Sequence, residues 1–252
     1  MKLTFLGTGV CIAKEKRGSP GLLAEIDGEK LLFDCGSGTI KTLKSLGYDI
    51  SNFSYLFLTH FHIDHVSDYP AIVKDRKFTT EKTLNVYGPV GLRNHTDILF
   101  TQLFSYMSSD LSVLEFLKIK ELAEGLMEET ENWTVNCAPI VHSGGIAYRI
   151  DSKGKSLLYS GDTAPCDSLI ELGKDVDVAI LECSYSSKES LTGKHLIPET
   201  AAQAAQKMKA KKLILTHLYP ETEGKEKDMI ERAKQHFDGE VVIAEDLMEI
   251  EI

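Results

Sequence analysis

The sequence predicts an α/β protein made of two similar βα halves folded against each other. Three observations carry that expectation. Short apolar runs alternate with helix signals along the whole chain. Leu31-Leu32-Phe33-Asp34 is echoed by Leu157-Leu158-Tyr159-Ser160, and Leu56-Phe57-Leu58-Thr59-His60 by Leu213-Ile214-Leu215-Thr216-His217. The echoes keep no fixed period, which excludes a solenoid.

In chain order, residues 2–6 read as a strand that ends at Gly7-Thr8-Gly9. Strands at 22–26 and 30–33 flank Asp27-Gly28-Glu29, a hairpin signal. Asp34-Cys35-Gly36-Ser37-Gly38 makes a turn, and residues 39–46 a short helix closed by Gly47. A strand at 55–58 delivers Thr59-His60. A helix is expected at 66–74, a strand at 84–87 and a helix at 91–107. The last carries Ile98, Leu99, Phe100, Leu103, Phe104 and Tyr106, a cluster that suits core packing, a lid, or a subunit contact in a homodimer. From 105 to 135 the acids Asp110, Glu115, Glu121, Glu124, Glu128, Glu129 and Glu131 face only Lys118 and Lys120, which reads as solvated surface. Strands follow at 133–140, 146–150 and 156–160, with a turn at 152–154, and another at 176–181. Pro198 and Glu199 open a helix at 198–209. A strand at 213–216, a helix at 226–236 and a last strand at 240–244 complete the pattern.

A length of 252 residues is within reach of one large α/β domain, so residues 1–252 are expected to form a single domain. The net charge of −10 opposes a phosphate backbone, and nothing in it advertises nucleic-acid binding. Five cysteines, Cys11, Cys35, Cys137, Cys166 and Cys183, contain no C-x-x-C pair. That count disfavours both a disulfide framework and a cysteine zinc knuckle, and a reducing cytoplasm fits. Cys35 and Cys183 are expected to be buried as small hydrophobes. No run approaches the roughly 18 apolar residues of a membrane span.

The chemistry concentrates at His60-Phe61-His62-Ile63-Asp64-His65. Imidazole nitrogen and carboxylate oxygen are the ligands zinc and similar divalent ions prefer. In an extended segment His60 and His62 share a side and can share an ion. Asp64 and His65 follow a change of direction and can face a second one. His142, Asp162 and His217 each lie just beyond an expected strand, where α/β proteins place their sites. His95 and His236 have no partner motif and read as structural or surface residues.

The order Asp34, H-x-H-x-D-H, His142, Asp162, His217 resembles the metallo-β-lactamase superfamily over nearly the whole chain. The resemblance implies a four-layer αββα sandwich, an α/β (α+β) fold with two mixed sheets flanked by helices. It implies that His60, His62 and His142 hold one metal, that Asp64, His65 and His217 hold another, and that Asp162 bridges them. Asp34 would orient a ligand histidine from behind. Leu6-Gly7-Thr8-Gly9, Phe33-Asp34-Cys35-Gly36-Ser37-Gly38-Thr39 and Ser160-Gly161-Asp162-Thr163 resemble the ribonuclease Z-like group within it. By that likeness His195 assists the leaving group and Glu182 steadies His195.

Three departures shift the expected substrate, one of them His195-Leu196-Ile197-Pro198-Glu199-Thr200 in place of the short His-x-Thr pattern of the tRNA-processing enzymes. Nineteen residues separate His142 from Asp162, too few for the long arm of the tRNA-processing enzymes. Lys14-Glu15-Lys16-Arg17-Gly18-Ser19 matches their basic N-terminal loop only in part. These features and the acidic charge count against tRNA, and Asp162, where true β-lactamases usually carry Cys, counts against that activity. The expectation is hydrolysis of a small phosphodiester by two divalent ions, zinc by default with manganese or iron as alternatives. The ions, roughly 3.5–4 Å apart, would share a water and lower its pKa, with Asp64 as proton acceptor. Hydrolysis of a lactone, thioester or sulfate ester is the competing enzymatic expectation, and a non-catalytic metal-stabilised binding module the third.

Overall fold

The computed structural model describes residues 1–12, 14–80, 82–105, 115–190 and 194–252. The chain begins with an antiparallel meander of β1 (Lys2–Gly7), β2 (Gly21–Ile26) and β3 (Glu29–Phe33). The turn at Asp27-Gly28 has φ of 50° and 83°, the doubly positive geometry that matches the twist of paired strands. After α1 (Thr39–Ser45) the connections become crossovers. β4 (Tyr55–Phe57) adds parallel to β3; α2 (Ile63–Val66) and α3 (Tyr69–Thr79) lead to β5 (Leu84–Gly88), and α4 (Leu92–Ile98) precedes β6 (Leu117–Glu121). β5 and β6 continue the parallel run.

The second half repeats this plan. β7 (Gly125–Glu129), β8 (Thr134–Pro139), β9 (Ile146–Ser152) and β10 (Lys155–Tyr159) are antiparallel neighbours. α5 (Asp167–Leu172), β11 (Val178–Glu182), α6 (Pro198–Met208), β12 (Lys212–Thr216), α7 (Glu226–Ala233) and β13 (Glu240–Ile243) then build a parallel run onto β10. β14 (Glu249–Glu251) returns to pair antiparallel with β1. Among the described residues the two sheets have the orders β14-β1-β2-β3-β4-β5-β6 and β7-β8-β9-β10-β11-β12-β13, written so that equivalent strands align.

The first sequence echo falls on equivalent strands, β3 and β10. The second falls on β4 and β12, which are not equivalent: the partner of β4 is β11. The echoed Thr-His therefore reflects a shared strand-end task rather than a shared place in the plan.

Three apolar layers hold the four-layer sandwich together. Leu3, Phe33, Phe57, Tyr148, Leu157 and Ile180 pack between the sheets. Leu43, Tyr69, Ile72 and Leu92 cover the outer face of the first sheet, and Leu169, Ala201, Ala205 and Met229 that of the second. Tyr148 donates across the sandwich to the Leu58 carbonyl at 2.7 Å, so the sheets are stitched beside the strand that delivers His60.

Several expected elements are corrected. The helix expected at 66–74 is two helices, because the Asp68 backbone N–H bonds to Cys35 O and leaves the helical ladder. Pro70 then sits in the first turn of α3, where no intrahelical donor is lost. The helix expected at 91–107 is helical to Ile98 and continues as a π-type turn over Leu99–Leu103; its end, Tyr106 and Met107, lies outside the described residues, as does Asp110 of the acidic stretch. Its apolar cluster divides: Phe100 is buried against Tyr69, whereas Leu103 is 67% exposed. The acids Glu115, Glu124, Glu129 and Glu131 are exposed, as a solvated surface requires, but the stretch also forms the edge strands β6 and β7, and Met127 within it is fully buried. The strand at 240–243 is not the last, since β14 follows.

Candidate metal centre

The C-terminal ends of the parallel strands converge on one rim. Beyond β4, Leu58 and Thr59 deliver His60; His62 caps α2, and Asp64 and His65 lie in its first turn. His142 stands between β8 and β9, Asp162 beyond β10, and His217 beyond β12. Asp34 and His217 adopt left-handed backbone (φ 56° and 60°), which swings each side chain from its strand into the rim. Asp and His are among the non-glycine residues that tolerate this region best. Close approach sets the rest: a Cβ on Gly36 would lie 2.0 Å from the Asp64 carbonyl, so the 34–38 turn can rest against the histidine motif only with glycine there.

The structure brings together all seven side chains the sequence suggested as ligands. One group is His60, His62, His142 and Asp162; a second is Asp64, His65 and His217. Within each, one donor atom per residue lies within 4.8 Å of the others. Asp162 faces both groups. Its Oδ1 is 3.3 Å from His65 Nε2 and 3.1 Å from His217 Nε2, and its Oδ2 is 3.8 Å from both His60 Nε2 and His142 Nε2. His142 Nε2 lies 3.2 Å from His62 Nδ1, and His217 Nε2 lies 3.5 Å from Asp64 Oδ2.

These separations suit a divalent cation. Ligand nitrogens about 2.0–2.1 Å from a tetrahedral ion stand about 3.4 Å from one another. His65 Nε2 and His217 Nε2 stand 3.2 Å apart, close to that spacing. His60 Nε2 and Asp162 Oδ1 are buried and make no hydrogen bond. Buried polar atoms without partners are costly, and a cation beside each of them would remove that cost.

The electrostatics set the rings apart, burial governing some and the carboxylates others. Burial, reinforced by His65, pushes His60 down to about 2, so its ring is neutral and ready to ligate. Burial also lowers His142. It opposes the charged form of His65, but the Asp162 and Asp34 carboxylates overcome it and raise that ring well above its ordinary value. Burial would raise Asp162 and Asp64. His217 and His65 instead hold Asp162 well below the carboxylate range, and the His217 hydrogen bond and the His65 charge bring Asp64 to about 2.

Behind these side chains stand two buried carboxylates. Asp34 receives His65 Nδ1 at 2.8 Å, Thr59 N at 2.8 Å, the Thr59 hydroxyl at 2.9 Å and the Tyr159 hydroxyl at 3.1 Å. Glu182 receives His195 Nδ1 and Thr163 N on Oε1 at 2.8 and 2.7 Å, and Ser184 through its hydroxyl and backbone on Oε2 at 2.7 and 3.1 Å. Burial works to lower His195, yet the Glu182 hydrogen bond and charge raise it. A ring nitrogen of His195 lies within 4.8 Å of donor atoms of Asp162 and His217, which puts His195 at the mouth of the centre. Thr59, Tyr159, Ser184 and Ser143, whose hydroxyl is 3.0 Å from His62 Nε2, were not singled out from sequence. The echoed Thr-His pair was the available signal for Thr59. His95 stacks on Phe61 at 4.7 Å, and His236 is exposed.

Two facing mixed sheets with a His/Asp centre at their parallel-strand ends are the metallo-β-lactamase architecture. The model of the beta-lactamase superfamily domain matches residues 29–218, and the chain belongs to that superfamily. It is similar to the ribonuclease Z of Methanosarcina acetivorans, with 27% identity over all of this chain and 98% of the relative. That alignment is 301 residues long against a chain of 252, so the relative carries insertions absent here. Among solved structures, the metallo-beta-lactamase fold protein YhfI from Bacillus subtilis superposes with a TM-score of 0.84 at 22% identity, covering 99% and 98% of the two chains. Human short-form tRNase Z superposes with 0.81 at 25% identity, covering 100% and 99%. Among the described residues, no helix is long and apolar enough to cross a membrane.

Proposed function

We propose that this chain is a phosphodiesterase that works with two divalent cations. His60, His62 and His142 hold one, Asp64, His65 and His217 hold the other, and Asp162 bridges. The observation that carries the reading is the division of Asp162, with one oxygen toward each histidine group. Bound there, the cations would acidify a water and take up charge on the phosphoryl oxygens.

The chain's own residues supply the rest. Asp64, held ionised and fixed by the Cys11 N–H at 3.1 Å, accepts a proton as water attacks phosphorus. His195, its Nδ1 proton committed to Glu182, presents Nε2 to the departing oxygen and protonates it. Thr163 N–H ties Glu182 to the Asp162 turn, so donor and bridge share one support.

A small substrate fits better than tRNA. The span from His142 to Asp162 is filled by the β9–β10 hairpin, whose turn is only Lys153-Gly154, leaving no room for an arm. A cleft of about 890 Å³ lies along the 218–226 segment, lined by Val10, Lys14, Tyr219, Pro220, Glu223 and Glu226 among others and by none of the proposed ligands. Ribonuclease Z relatives spanning the whole chain support the phosphodiester bond as target.

The test is a substrate panel on zinc- or manganese-loaded protein. Turnover of a chromogenic phosphodiester that stops with a chelator is expected. Hydrolysis of lactones or thioesters without it would move the chain to the competing ester class. No metal-dependent turnover of any ester would leave a binding module.

A further inference from the structure

The two buried carboxylates hold the centre by the same device, one in each half. Asp34 takes the Nδ1 proton of His65 directly and reaches His60 through a hydroxyl: Thr59 Oγ1 donates to Asp34 and stands 3.0 Å from His60 Nδ1. Glu182 takes the Nδ1 proton of His195 directly and reaches His217 through a hydroxyl: Ser184 Oγ donates to Glu182 and stands 3.0 Å from His217 Nδ1. The elements that supply the parts differ, but the wiring is equivalent.

Proton counting fixes the direction of each link. A serine hydroxyl has one proton and can accept through its lone pairs. The Ser184 proton goes to Glu182 Oε2, at 2.7 Å the shortest of its contacts. Toward His217 it can then only accept, so His217 must carry its proton on Nδ1. That leaves Nε2 bare, and Nε2 faces Asp162 Oδ1 and Asp64 Oδ2. Ser184 Oγ also lies 3.1 Å from His195 Nδ1, whose proton has the nearer, charged acceptor Glu182 Oε1. All four acceptor sites of Glu182 are filled, so the carboxylate has no freedom to turn.

We propose that Ser184 is a positioning residue: its hydroxyl fixes the tautomer and orientation of His217, and so ties the second cation site to the carboxylate that holds His195. The inference rests on the reading of His217 as a ligand. Thr59 performs the equivalent task for His60. A hydroxyl in place of a direct carboxylate contact lets one glutamate serve two imidazoles whose Nδ1 atoms could not both reach it.

The experiment is equilibrium zinc titration of the metal-free chain by chelator competition, resolving the two affinities, with wild type, Ser184→Ala and Ser184→Thr. Loss of a partner behind a ligand histidine weakens metal binding about 10–100-fold. Ser184→Ala should weaken one of the two sites by that factor and leave the other within about threefold, while Ser184→Thr keeps both near wild type. Circular dichroism checks folding. If the alanine variant does not fold, Ser184→Cys, whose thiol is a weak acceptor, carries the same expectation. Two affinities unchanged in Ser184→Ala overturn the proposal, as does failure of Ser184→Thr to restore a lost one. A wild type that binds only one ion refutes the ligand reading itself and the proposal with it. These readouts need no turnover, so failure of the phosphodiesterase assignment shows itself separately.

Discussion

Replacing Asp34 by Asn puts one atom of the centre's support to the test. The carboxylate is fully buried and receives four donor groups, the Thr59 N–H and hydroxyl, the Tyr159 hydroxyl and His65 Nδ1. Asparagine has nearly the same shape, but one oxygen becomes an NH2 donor. Thr59 N binds Oδ1 and His65 Nδ1 binds Oδ2, so either amide orientation sets donor against donor at one of them. If the amide nitrogen faces His65, the ring escapes by moving its proton to Nε2, which lies 3.2 Å from His217 Nε2 and 3.3 Å from Asp162 Oδ1. That proton occupies the ligand position. If the nitrogen faces Thr59, a buried N–H is left unsatisfied, at a cost of about 1–3 kcal/mol. Metal affinity of the His65 site should fall about 10–100-fold, or about 1.4–2.7 kcal/mol. Melting of the metal-free chain should fall as well, by several degrees for a change of about 1–2 kcal/mol. Calorimetric zinc titration and differential scanning calorimetry read the two effects. Wild-type affinity together with wild-type melting would refute the assigned role of Asp34.

Three further expectations follow from the same structure. His195→Ala should lower kcat about 100–10,000-fold on a diester with an alkoxide leaving group, much less with p-nitrophenolate, which departs without a proton, and leave zinc stoichiometry intact; equal losses on both substrates would contradict proton donation. Gly36→Ala places a Cβ 2.0 Å from the Asp64 carbonyl, so metal affinity should drop along with thermal stability, and unchanged zinc titration would show that the 34–38 turn does not position the motif. Arg76 is a fully buried cation that donates to the carbonyls of Ile50, Phe53, Lys82 and Thr83. Arg76→Met should therefore cost about 3 kcal/mol in urea denaturation, with turnover per folded molecule unchanged; a loss below about 0.5 kcal/mol would remove it from the scaffold.

The sequence was most legible where chemistry repeats a simple local rule. Strands ending in His60, Asp162 and His217 are apolar runs followed at once by polar side chains, and Asp27-Gly28 and Lys153-Gly154 are turn dipeptides. It was least legible at the sheet margins. β6 reads Leu-Lys-Ile-Lys-Glu and is half buried on alternate residues, but its charges masked that alternation among the acids of 105–135. β14 is three residues long and is defined by pairing with β1, which lies at the other end of the chain. The break at Ser67-Asp68 depends on a hydrogen bond to Cys35 that no local propensity encodes. Thr59 and Ser184 are similarly hidden. A lone hydroxyl carries no spacing signal, and its role exists only when a carboxylate and an imidazole from other segments arrive beside it.

Two-cation hydrolysis is tested most directly by adding zinc or manganese stepwise to the metal-free chain, counting ions per chain by elemental analysis while following phosphodiester turnover at each step. Turnover should remain low through the first equivalent, rise steeply toward the second, and stop there with two ions bound. Full turnover at one equivalent, or turnover that persists after the metal is stripped, would contradict it.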